Sequence, residues 1–583
     1  MRKDTPSRER KRRTATRNRR ELIKAGLSRR DLMKLGLLTS TGYLVAKNGL
    51  SARASDGNPQ SPPTRAFIDP LPIMPVKQPV GALTPAPTVA PNTAAGEGRT
   101  RNHQALTRFP PRKLYEVHQR PGLVSMSPDL PLQNIWGFDG ICPGPTYIAR
   151  YGEPILVRNF NDLPADNGGF GLNEVSTHQH NGHTPSESDG FTCDFFRAGQ
   201  FYDQHYPNML AGFDSTHPPN GDPNEALSTL WYHDHRVDFT SQNAYKGLLG
   251  MYLLFNDKDT GDETTGFRLP SGEFDVPLVI ADKVFDENGF LFFDLFNLDG
   301  ILGDKFLVNG KIQPFFQVHP RRYRFRLLDT GPSRFYQFFL TDLNAPSTSL
   351  PFWQISNDGN LLPKPIQVTS VRLGVAERSD VIIDFSQFAG RSIFLENRLE
   401  QTDGRGPSDK ILPAGQGNRV LRFDVVLPAV ADNSQPPDTI TKFYDLPPIE
   451  APRVTRTFRF ERGNGQWQIN GRFFDCNEVR FRVQKNSAEN WVLQNSSGGW
   501  QHPIHVHFEE FQVLSRNGRP PQTAERSRKD VVRLGFNEEV VICSRFRDFV
   551  GRYPLHCHNT VHEDHAMMLR WDIEEVGDRN SEP

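Results

Sequence analysis

The chain has 583 residues, too many for a single hydrophobic core, so three or four domains are expected from length alone. Lysine plus arginine equals aspartate plus glutamate at 68 each, but residues 1–54 hold sixteen of the basic and only four of the acidic residues. The rest of the chain, with 52 basic and 64 acidic residues, carries a net charge of −12, which argues against binding to nucleic acid or to an anionic membrane surface.

The basic amino-terminal segment has the three-part layout of an export signal. Ser28-Arg29-Arg30-Asp31-Leu32-Met33-Lys34 resembles a twin-arginine motif, and it is followed by an uncharged stretch, Leu35 to Ala46, and a small-x-small site, Ala52-Arg53-Ala54. No run reaches the roughly 18 apolar residues of a membrane span. We therefore expect residues 1–54 to engage the twin-arginine export machinery, to leave no stable membrane anchor, and to direct the protein to the periplasm or the extracellular space. The alternative is a basic nuclear-localisation or nucleic-acid arm.

The remaining chain predicts an all-β fold. Residues 55–105 are rich in Pro, Ala, Thr and Gly and predict an extended leader. Short apolar runs with two-residue alternation follow, separated by Asn-Gly turns. An Asp-Gly or Asn-Gly turn at Gly140, Gly310 and Gly471 recurs at intervals of 170 and 161 residues, about the length of one β-sandwich. We therefore predict three β-sandwich domains, at residues 106–262, 263–432 and 433–583.

The cysteines allow several disulfide arrangements. The chain has five, at Cys142, Cys193, Cys476, Cys543 and Cys557. If Cys557 binds a metal, four remain, and an oxidising compartment permits up to two disulfides. Sequence separation favours Cys142 with Cys193 and Cys476 with Cys543, although four cysteines permit three pairings and buried free thiols are an equal alternative.

Ten of the seventeen histidines lie in or just after four short clusters. The clusters are His178-Gln179-His180, His233-Asp234-His235, His502-Pro503-Ile504-His505-Val506-His507 and His556-Cys557-His558, and His562 and Met567 follow the last one. A thiolate, two imidazoles and a weakly bound methionine form the ligand set of a blue-copper site, and the other imidazoles can hold several more copper ions. One His-x-His pair is weak evidence, but four clusters, one of them His-Cys-His, indicate metal binding.

The spacing of these clusters suits extended strands. Side chains at positions i and i+2 of a strand face the same side, and the residue between them faces the other. Each His-x-His pair can therefore direct both rings to one metal cluster, whereas Cys557 would face away from His556 and His558. Adjacent residues would then join two metal sites and give electrons a short covalent route.

The four clusters resemble the four copper-binding segments of the multicopper oxidases, a family of laccases, bilirubin oxidases and metallo-oxidases. The similarity extends from about residue 66 to the end of the chain. The segments Thr177–Gly190, Arg321–Tyr336 and His556–Met568 are most similar to the bilirubin oxidase and spore-coat laccase branch. The resemblance implies three cupredoxin-like Greek-key domains and about four copper ions: one of type 1, one of type 2 and two of type 3.

The resemblance also implies a role for each ligand. The type 1 copper is expected to bind His502, Cys557 and His562, with Met567 as the axial ligand; the alternative for Met567 is a core methionine. The type 2 copper is expected to bind His178 and His505. The type 3 pair is expected to bind His180, His233, His235, His507, His556 and His558. Because these ligands come from the first and third domains, the three-copper cluster is expected between those domains.

Two carboxylates and one tryptophan complete the predicted site. Asp189 and Glu563 match positions at which this branch carries acidic residues near the three-copper cluster, where they can relay protons. The alternative role, which is compatible with a relay, is to orient histidine ligands. Trp500 stands two residues before His502, so strand alternation predicts that its ring packs against the type 1 site; a surface aromatic is the alternative.

The resemblance implies an oxidase that couples one-electron oxidation of a phenolic or tetrapyrrole-like donor to four-electron reduction of dioxygen to water. The alternative is a metallo-oxidase acting on Mn(II), Cu(I) or Fe(II). Only eight methionines and no methionine-rich insert weigh against Cu(I), whereas the acidic chain leaves Mn(II) open. A cupredoxin scaffold without copper is a third alternative, against which the full ligand set argues. We expect a monomer.

Overall fold

The structure is a computed structural model that describes residues 58–215, 221–463, 465–579 and 583. It also gives the backbone of two short paired strands, β1 (Leu44–Val45) and β2 (Ser51–Ala52). The predicted twin-arginine motif lies outside the described residues. In the described part of the chain, no helix combines the length and the apolar character needed to cross a bilayer.

The first β-sandwich packs two sheets of four strands against each other. Its strands are β3 (Lys113–Val124), β4 (Gln133–Phe138), β5 (Tyr147–Arg150), β6 (Ile155–Asn161), β7 (Glu174–Val175), β8 (Thr177–His180), β9 (Phe196–Arg197), β10 (Phe201–Tyr206), β11 (Thr229–Asp234) and β12 (Leu249–Phe255). The sheet orders are β10-β6-β3-β4 and β5-β12-β11-β8, while β7 pairs with β9. Two short helices, α1 (Ser186–Asp189) and α2 (Thr240–Lys246), lie in the connections.

The second β-sandwich has the longest sheet. Its strands are β13 (Asp275–Phe285), β14 (Leu291–Phe292), β15 (Lys305–Val308), β16 (Lys311–Ile312), β17 (Phe315–Gln317), β18 (Arg322–Asp329), β19 (Tyr336–Thr341), β20 (Phe352–Asn357), β21 (Asn360–Val368), β22 (Ser370–Leu373), β23 (Arg378–Asp384), β24 (Ser392–Asn397) and β25 (Asn418–Asp424). The sheet orders are β16-β15-β13-β18-β23-β20-β21, with β14 on β13, and β17-β25-β24-β19-β22. Alternation along β18 places Tyr323 and Phe325 in the core and the buried Arg324 on the opposite face, where it pairs with Asp380.

The third β-sandwich contains β26 (Val454–Gly463), β27 (Gln466–Ile469), β28 (Val479–Gln484), β29 (Ser487–Asn495), β30 (His502–Val506), β31 (Phe511–Arg516), β32 (Arg528–Lys529), β33 (Val531–Leu534), β34 (Glu539–Phe546), β35 (Gly551–Cys557) and β36 (Met568–Glu574), with α3 (Thr560–Glu563) between the last two. The sheet orders are β27-β26-β29-β34-β31-β32 and β28-β36-β35-β30-β33. Its core is built on large aromatic side chains, including Phe481, Trp491 and Trp571, and it includes Cys557 and Met567.

These three sandwiches confirm the predicted all-β class with three cupredoxin-like domains. The turn at the start of the repeat is a shared feature, because both of its residues have positive φ in every domain. Positive φ at two successive positions defines a type I′ turn, which glycine and asparagine or aspartate adopt most readily. The pairs are Asp139-Gly140, Asn309-Gly310 and Asn470-Gly471. The domain limits stay predictions; β12 ends at Phe255 and β13 begins at Asp275, while β25 ends at Asp424 and β26 begins at Val454.

The leader from residue 58 onward contacts all three sandwiches, although it contains little regular structure beyond the 3-10 helix Thr93–Ala95. Its Val80 N–H donates to the carbonyl of Leu114 in the first sandwich at 2.7 Å. Leu71 belongs to the core of the second sandwich, and Ala105 to the core of the third. The leader therefore ties the three sandwiches together.

The favoured cysteine pairing was wrong. The structure forms one disulfide, between Cys193 of the first sandwich and Cys476 of the third, 283 residues apart. Cys142 and Cys543 are free thiols, as is Cys557. Sequence separation gave the wrong pairing because the third sandwich contacts the first, although the whole second sandwich lies between them in the chain. The two cysteines that are close in space are therefore distant in sequence.

Candidate metal centre

Four strands bring the histidine clusters together. They are β8 with His178 and His180, β11 with His233, β30 with His502 and His505, and β35 with His556 and Cys557. Antiparallel pairing places His178 opposite His233 in the first sandwich and His505 opposite His556 in the third. The two sandwiches then meet ring to ring, since the rings of His180 and His505 stack with centroids 3.7 Å apart.

Eight histidines form one buried assembly that divides into two groups of three and one pair. The groups of three are His235, His507 and His556, and His180, His233 and His558. In the first group the three Nε2 atoms lie 3.1–3.2 Å from one another. Two nitrogens bound tetrahedrally to one ion at about 2.0 Å would lie about 3.3 Å apart. The remaining pair, His178 and His505, places its Nε2 atoms 3.4 Å apart.

Hydrogen bonds to backbone carbonyls fix which nitrogen faces the centre of this assembly. His178 Nδ1 lies 2.5 Å from the carbonyl of Asp189, His233 Nδ1 2.8 Å from that of Asp234, and His505 Nδ1 2.8 Å from that of Asp530. A carbonyl oxygen can only accept, so the proton is on Nδ1 and the lone pair is on Nε2. Metal-binding histidines are oriented in the same way, through a hydrogen bond from the ring nitrogen that does not bind the metal.

The residues fit a metal ion because three of the inner nitrogens have no hydrogen-bond partner among the described residues. The Nε2 atoms of His180, His233 and His558 are buried and have no hydrogen-bond partner within the described part of the protein. Buried polar atoms without a partner are costly and rare, so three that converge on one point indicate a ligand. Burial, with the charge of neighbouring histidines, lowers the pKa of His180 and His558 well below the usual value. Neutral rings of this kind are the form that binds metal.

A second site lies on the other side of His556-Cys557-His558. The Cys557 Sγ lies 3.5 Å from His502 Nδ1 and 3.6 Å from His562 Nδ1, and these two nitrogens are 3.1 Å apart. Here Nδ1 faces inward, because Nε2 of His562 lies 3.0 Å from the carbonyl of Asp299 and Nε2 of His502 lies 2.8 Å from Ser497 Oγ. Burial raises the pKa of the Cys557 thiol well above its usual value, so ionisation of this thiol requires a cation beside it.

The alternation of β35 separates the two sites by one residue. His556 belongs to one group of three and His558 to the other, with their ring centroids 5.2 Å apart, while Cys557 faces His502 and His562. Met567 is fully buried in the same core as Cys557, and its carbonyl accepts the Cys557 N–H at 3.0 Å. Met568 lies in a separate cluster with Phe191 and Phe474.

Comparison with known proteins identifies the family. A family model described as multicopper oxidase matches residues 447–576. A bilirubin oxidase of Albifimbria verrucaria is 35% identical over 539 residues, which cover 90% of this chain and 84% of that protein. The chain belongs to the multicopper oxidase family. This multicopper oxidase is also 31% identical to a laccase of Bacillus subtilis over 518 residues, which cover 79% of the chain and 94% of the laccase.

Solved structures agree on the fold. A multicopper oxidase from Pediococcus acidilactici superposes with a TM-score of 0.69 at 21% identity, covering 89% of this chain and 94% of that one. Family membership makes the protein an oxidoreductase that oxidises a reductant with dioxygen and uses copper of types 1, 2 and 3. The predicted family, enzyme class and cofactor are therefore confirmed.

The two predicted carboxylates of this multicopper oxidase contact the outer nitrogens of the same histidine group. Asp189 Oδ2 lies 2.8 Å from His507 Nδ1. Glu563 lies between the other two, with Oε1 3.2 Å from His235 Nδ1 and Oε2 3.2 Å from His556 Nδ1. Asp189 is fully buried, and its Oδ1 has no partner within the described residues. Burial raises the pKa of Asp189 well above its usual value.

Sequence reasoning missed an acidic residue on the other side of the assembly. Asp530 Oδ2 lies 2.7 Å from His180 Nδ1, and Asp530 Oδ1 accepts from Arg378 Nη1 at 2.8 Å. Burial raises the pKa of Asp530 to about 8. Asp530 lies between two short strands, far from any histidine in sequence, so no motif could have revealed it.

The tryptophan beside the cysteine site of the oxidase is Trp467, which sequence reasoning also missed. Its ring centroid lies 4.0 Å from that of His562 and 5.4 Å from that of His502, and its Nε1 donates to the carbonyl of Leu298 at 2.9 Å. Trp500 is partly buried against the core that includes Cys557 and Met567, and its ring packs edge-on against that of Trp467 with the centroids 5.3 Å apart. Residue 500 precedes β30, so strand alternation does not apply to it.

Proposed function

We propose that this multicopper oxidase oxidises phenolic or tetrapyrrole-like organic donors beside Cys557 and reduces dioxygen to water at the histidine assembly. The observation that carries the proposal is the backbone link through His556-Cys557-His558, because adjacent residues join the cysteine site to both histidine groups. The relatives named bilirubin oxidase and laccase support organic donors. The rival reductant is Mn(II) or another metal ion.

We propose one ligand set for each copper, which combines the resemblance with the grouping of the side chains. Type 1 copper would be held by His502, Cys557 and His562, with Met567 as a further, weak ligand, and type 2 copper would be held by His178 and His505. Each of the two type 3 coppers would be held by one group of three: His235, His507 and His556, or His180, His233 and His558. Bound copper supplies one-electron transfer at the first site and dioxygen reduction at the other three. The chain orients several of these rings through their outer nitrogens, among them His178, His505 and His507.

In this reaction the protein's own side chains position the copper ligands and supply protons. Trp467 and Ser497 hold the type 1 histidines, and a donor approaches the partly buried Trp500, whose ring lies 4.9 Å from the Arg405 guanidinium and 4.8 Å from that of Arg462. Asp189 and Glu563 adjoin the type 3 group where protons are consumed. A carboxyl group in this position can deliver a proton within hydrogen-bond reach.

Donor specificity is tested by initial rates with bilirubin, a simple phenol and Mn(II), measured side by side on protein with full copper content. We expect oxygen uptake with both organic donors and little with Mn(II). If the rate with Mn(II) were the highest, Mn(II) would take the place of the organic donor in the proposal. The assignment of the copper ligands would not change.

Copper removal should abolish colour and activity together. We expect about four copper ions per chain, a blue band from the Cys557 thiolate and a near-ultraviolet shoulder from the type 3 pair. Chelation should remove the copper, both absorption features and the oxidase activity. Reconstitution with Cu(I), followed by exposure to air, should restore them. Full activity in the chelated, copper-free protein would contradict the assignment.

A Met567→Leu variant should keep its copper and its blue colour but shift the type 1 potential upward, because only the weak axial ligand is lost. Redox titration of the blue band measures the shift. Met568→Leu is the matched control, since Met568 packs in another cluster, and its potential should match that of wild type. Loss of copper from the Met567 variant would show that this methionine is structural.

We also propose that the protein is exported as a folded monomer by the twin-arginine route to the periplasm or extracellular space. The motif Arg29-Arg30 and the Cys193–Cys476 disulfide, which suits an oxidising compartment, support this. Replacement of both arginines by lysine should retain the protein in the cytoplasm. Unchanged export of that variant would overturn the proposal, and light scattering of the exported protein tests the monomer.

A further inference from the structure

None of the proposed copper ligands comes from the second sandwich, but one arginine of that sandwich reaches the histidine assembly. Arg378 begins β23 and has no exposed surface. Its Nη1 lies 2.8 Å from Asp530 Oδ1 and 3.3 Å from Nδ1 of His180, a member of one group of three histidines. Arg378 therefore contacts both a proposed copper ligand and the acidic residue beside that ligand.

The other contacts of Arg378 hold its guanidinium against all three sandwiches. Nε donates to the carbonyl of Thr229 in the first sandwich at 3.3 Å, and Nη2 donates to the carbonyl of Asp358 in the second at 2.8 Å. Nη1 donates to Asp530 of the third sandwich and, at 3.1 Å, to the carbonyl of Ala376. The planar guanidinium is thereby fixed in one orientation, because all three of its nitrogens are engaged.

Asp530 in turn contacts two of the proposed copper ligands. Its Oδ2 lies 2.7 Å from Nδ1 of His180, and its backbone carbonyl accepts from Nδ1 of His505 at 2.8 Å. His180 belongs to a proposed type 3 group, and His505 belongs to the proposed type 2 pair. Because the rings of these two histidines also stack on each other, a shift of Asp530 would displace ligands of two copper sites at once.

The residues on either side of Asp530 are held by the second sandwich as well. Lys529 Nζ lies 2.8 Å from Asp358 Oδ2 and 3.0 Å from Glu377 Oε1, and the Val531 N–H donates to Asp358 Oδ2 at 3.3 Å. The side chains of all three charged residues are buried. Three consecutive residues of the third sandwich are thus bound by the second, and loss of one partner from a buried ion pair is costly.

We propose that Arg378 is a positioning residue, through which the second sandwich keeps His180 and His505 in place for copper. The inference rests on the proposed function, because it takes these histidines as type 3 and type 2 ligands. Arg378 acts through Asp530, which faces the outer nitrogen of each ring. Partners that orient metal-binding histidines typically contribute 10- to 100-fold to metal affinity. In the described part of the chain, no hydrogen bond or ion pair joins Arg378 to the cysteine site, so type 1 copper should be unaffected.

Copper retention at buffered concentrations of free Cu²⁺ tests the role of Arg378. The near-ultraviolet shoulder of Arg378→Gln should be half lost at a free copper concentration about 10- to 100-fold higher than in wild type. The type 2 signal in electron paramagnetic resonance should change over the same range, while the blue band is retained. Asp530→Asn should shift the release in the same direction. The double variant should fall short of the sum of the two effects, because the two residues act as one unit.

Arg324→Gln is the matched control. Arg324 is equally buried in the second sandwich and also reaches the first sandwich, where it contacts Ser228, but its carboxylate partners are Asp380 and Asp259. Its copper release should match that of wild type. The proposal would be overturned by wild-type release from Arg378→Gln, and equally by an Arg324→Gln variant that releases copper as readily as Arg378→Gln.

A milder variant covers the case in which Arg378→Gln does not fold. Arg378→Lys keeps the buried charge but cannot bind Asp530 and the carbonyls of Thr229 and Asp358 together, so the same criteria apply to it. Excess copper should restore oxygen uptake in either variant, because the ligands themselves are intact. A defect that copper does not restore would contradict a positioning role. A copper-loaded wild type without the near-ultraviolet shoulder would instead contradict the proposed function, and copper content would still compare the Arg378 and Arg324 variants.

Discussion

A Cys557→Ser variant should lose the blue colour and the oxidase activity while its histidine assembly keeps copper. The colour requires a thiolate, and Cys557 Sγ is the sulfur that faces His502 and His562. Electron entry should stop as well, because a serine hydroxyl does not supply a comparable covalent path to His556 and His558. Visible absorption, copper content per chain and oxygen uptake with a phenol measure the three effects.

The control is Cys543→Ser, which removes a buried free thiol of the same sandwich that lies on β34. This variant should remain blue and active. A blue Cys557→Ser protein would contradict the type 1 assignment, and loss of all copper from it would show that the two sites are not independent.

Asp189→Asn and Glu563→Gln should each slow dioxygen reduction by roughly 10²–10⁴-fold while hardly affecting electron entry. Both substitutions keep the shape of the side chain but remove the group that transfers a proton. With donor and no oxygen, each variant should bleach at nearly the wild-type rate. When oxygen is admitted, the blue colour should return slowly, and more slowly as pH rises because protons become scarce.

Copper content must be equal before rates are compared, because Asp189 also holds His507 and Glu563 lies between His235 and His556. Glu187→Gln is the matched control, since Glu187 shares α1 with Asp189 but bonds to Gln104 in the leader. Fully metallated Asp189 and Glu563 variants that reoxidise as fast as wild type would leave these carboxylates a purely positioning role.

The parts of the site that follow local rules could be predicted from sequence. Strand alternation separates Cys557 from His556 and His558, and the structure shows this separation. Residue spacing within each cluster is enough for such a prediction, because no knowledge of the partner strand is required. Two-residue alternation and Asn-Gly turns likewise indicated the sandwiches without long-range information.

The parts that depend on how distant segments meet could not be predicted. Asp530 and Trp467 reach the copper sites through sheet pairing and packing rather than through a motif. The division of six histidines into two groups of three mixes residues from both terminal sandwiches. The Cys193–Cys476 pair is a contact of the same kind, and local spacing pointed to the wrong partners.

The first and third sandwiches act as the two arms of a copper chelator. The Cys193–Cys476 disulfide gives these arms a second covalent connection besides the chain itself. One arm, the first sandwich, carries four of the eight assembly histidines and the third sandwich carries the other four. Without the disulfide, the covalent connection between the two arms runs through the whole second sandwich. The disulfide joins the arms directly, and the leader also shortens the connection. A shorter connection raises the effective concentration of one arm at the other, so copper lost from one arm is recaptured before the arms separate. Copper retention should therefore depend on the redox state of a bond that binds no metal.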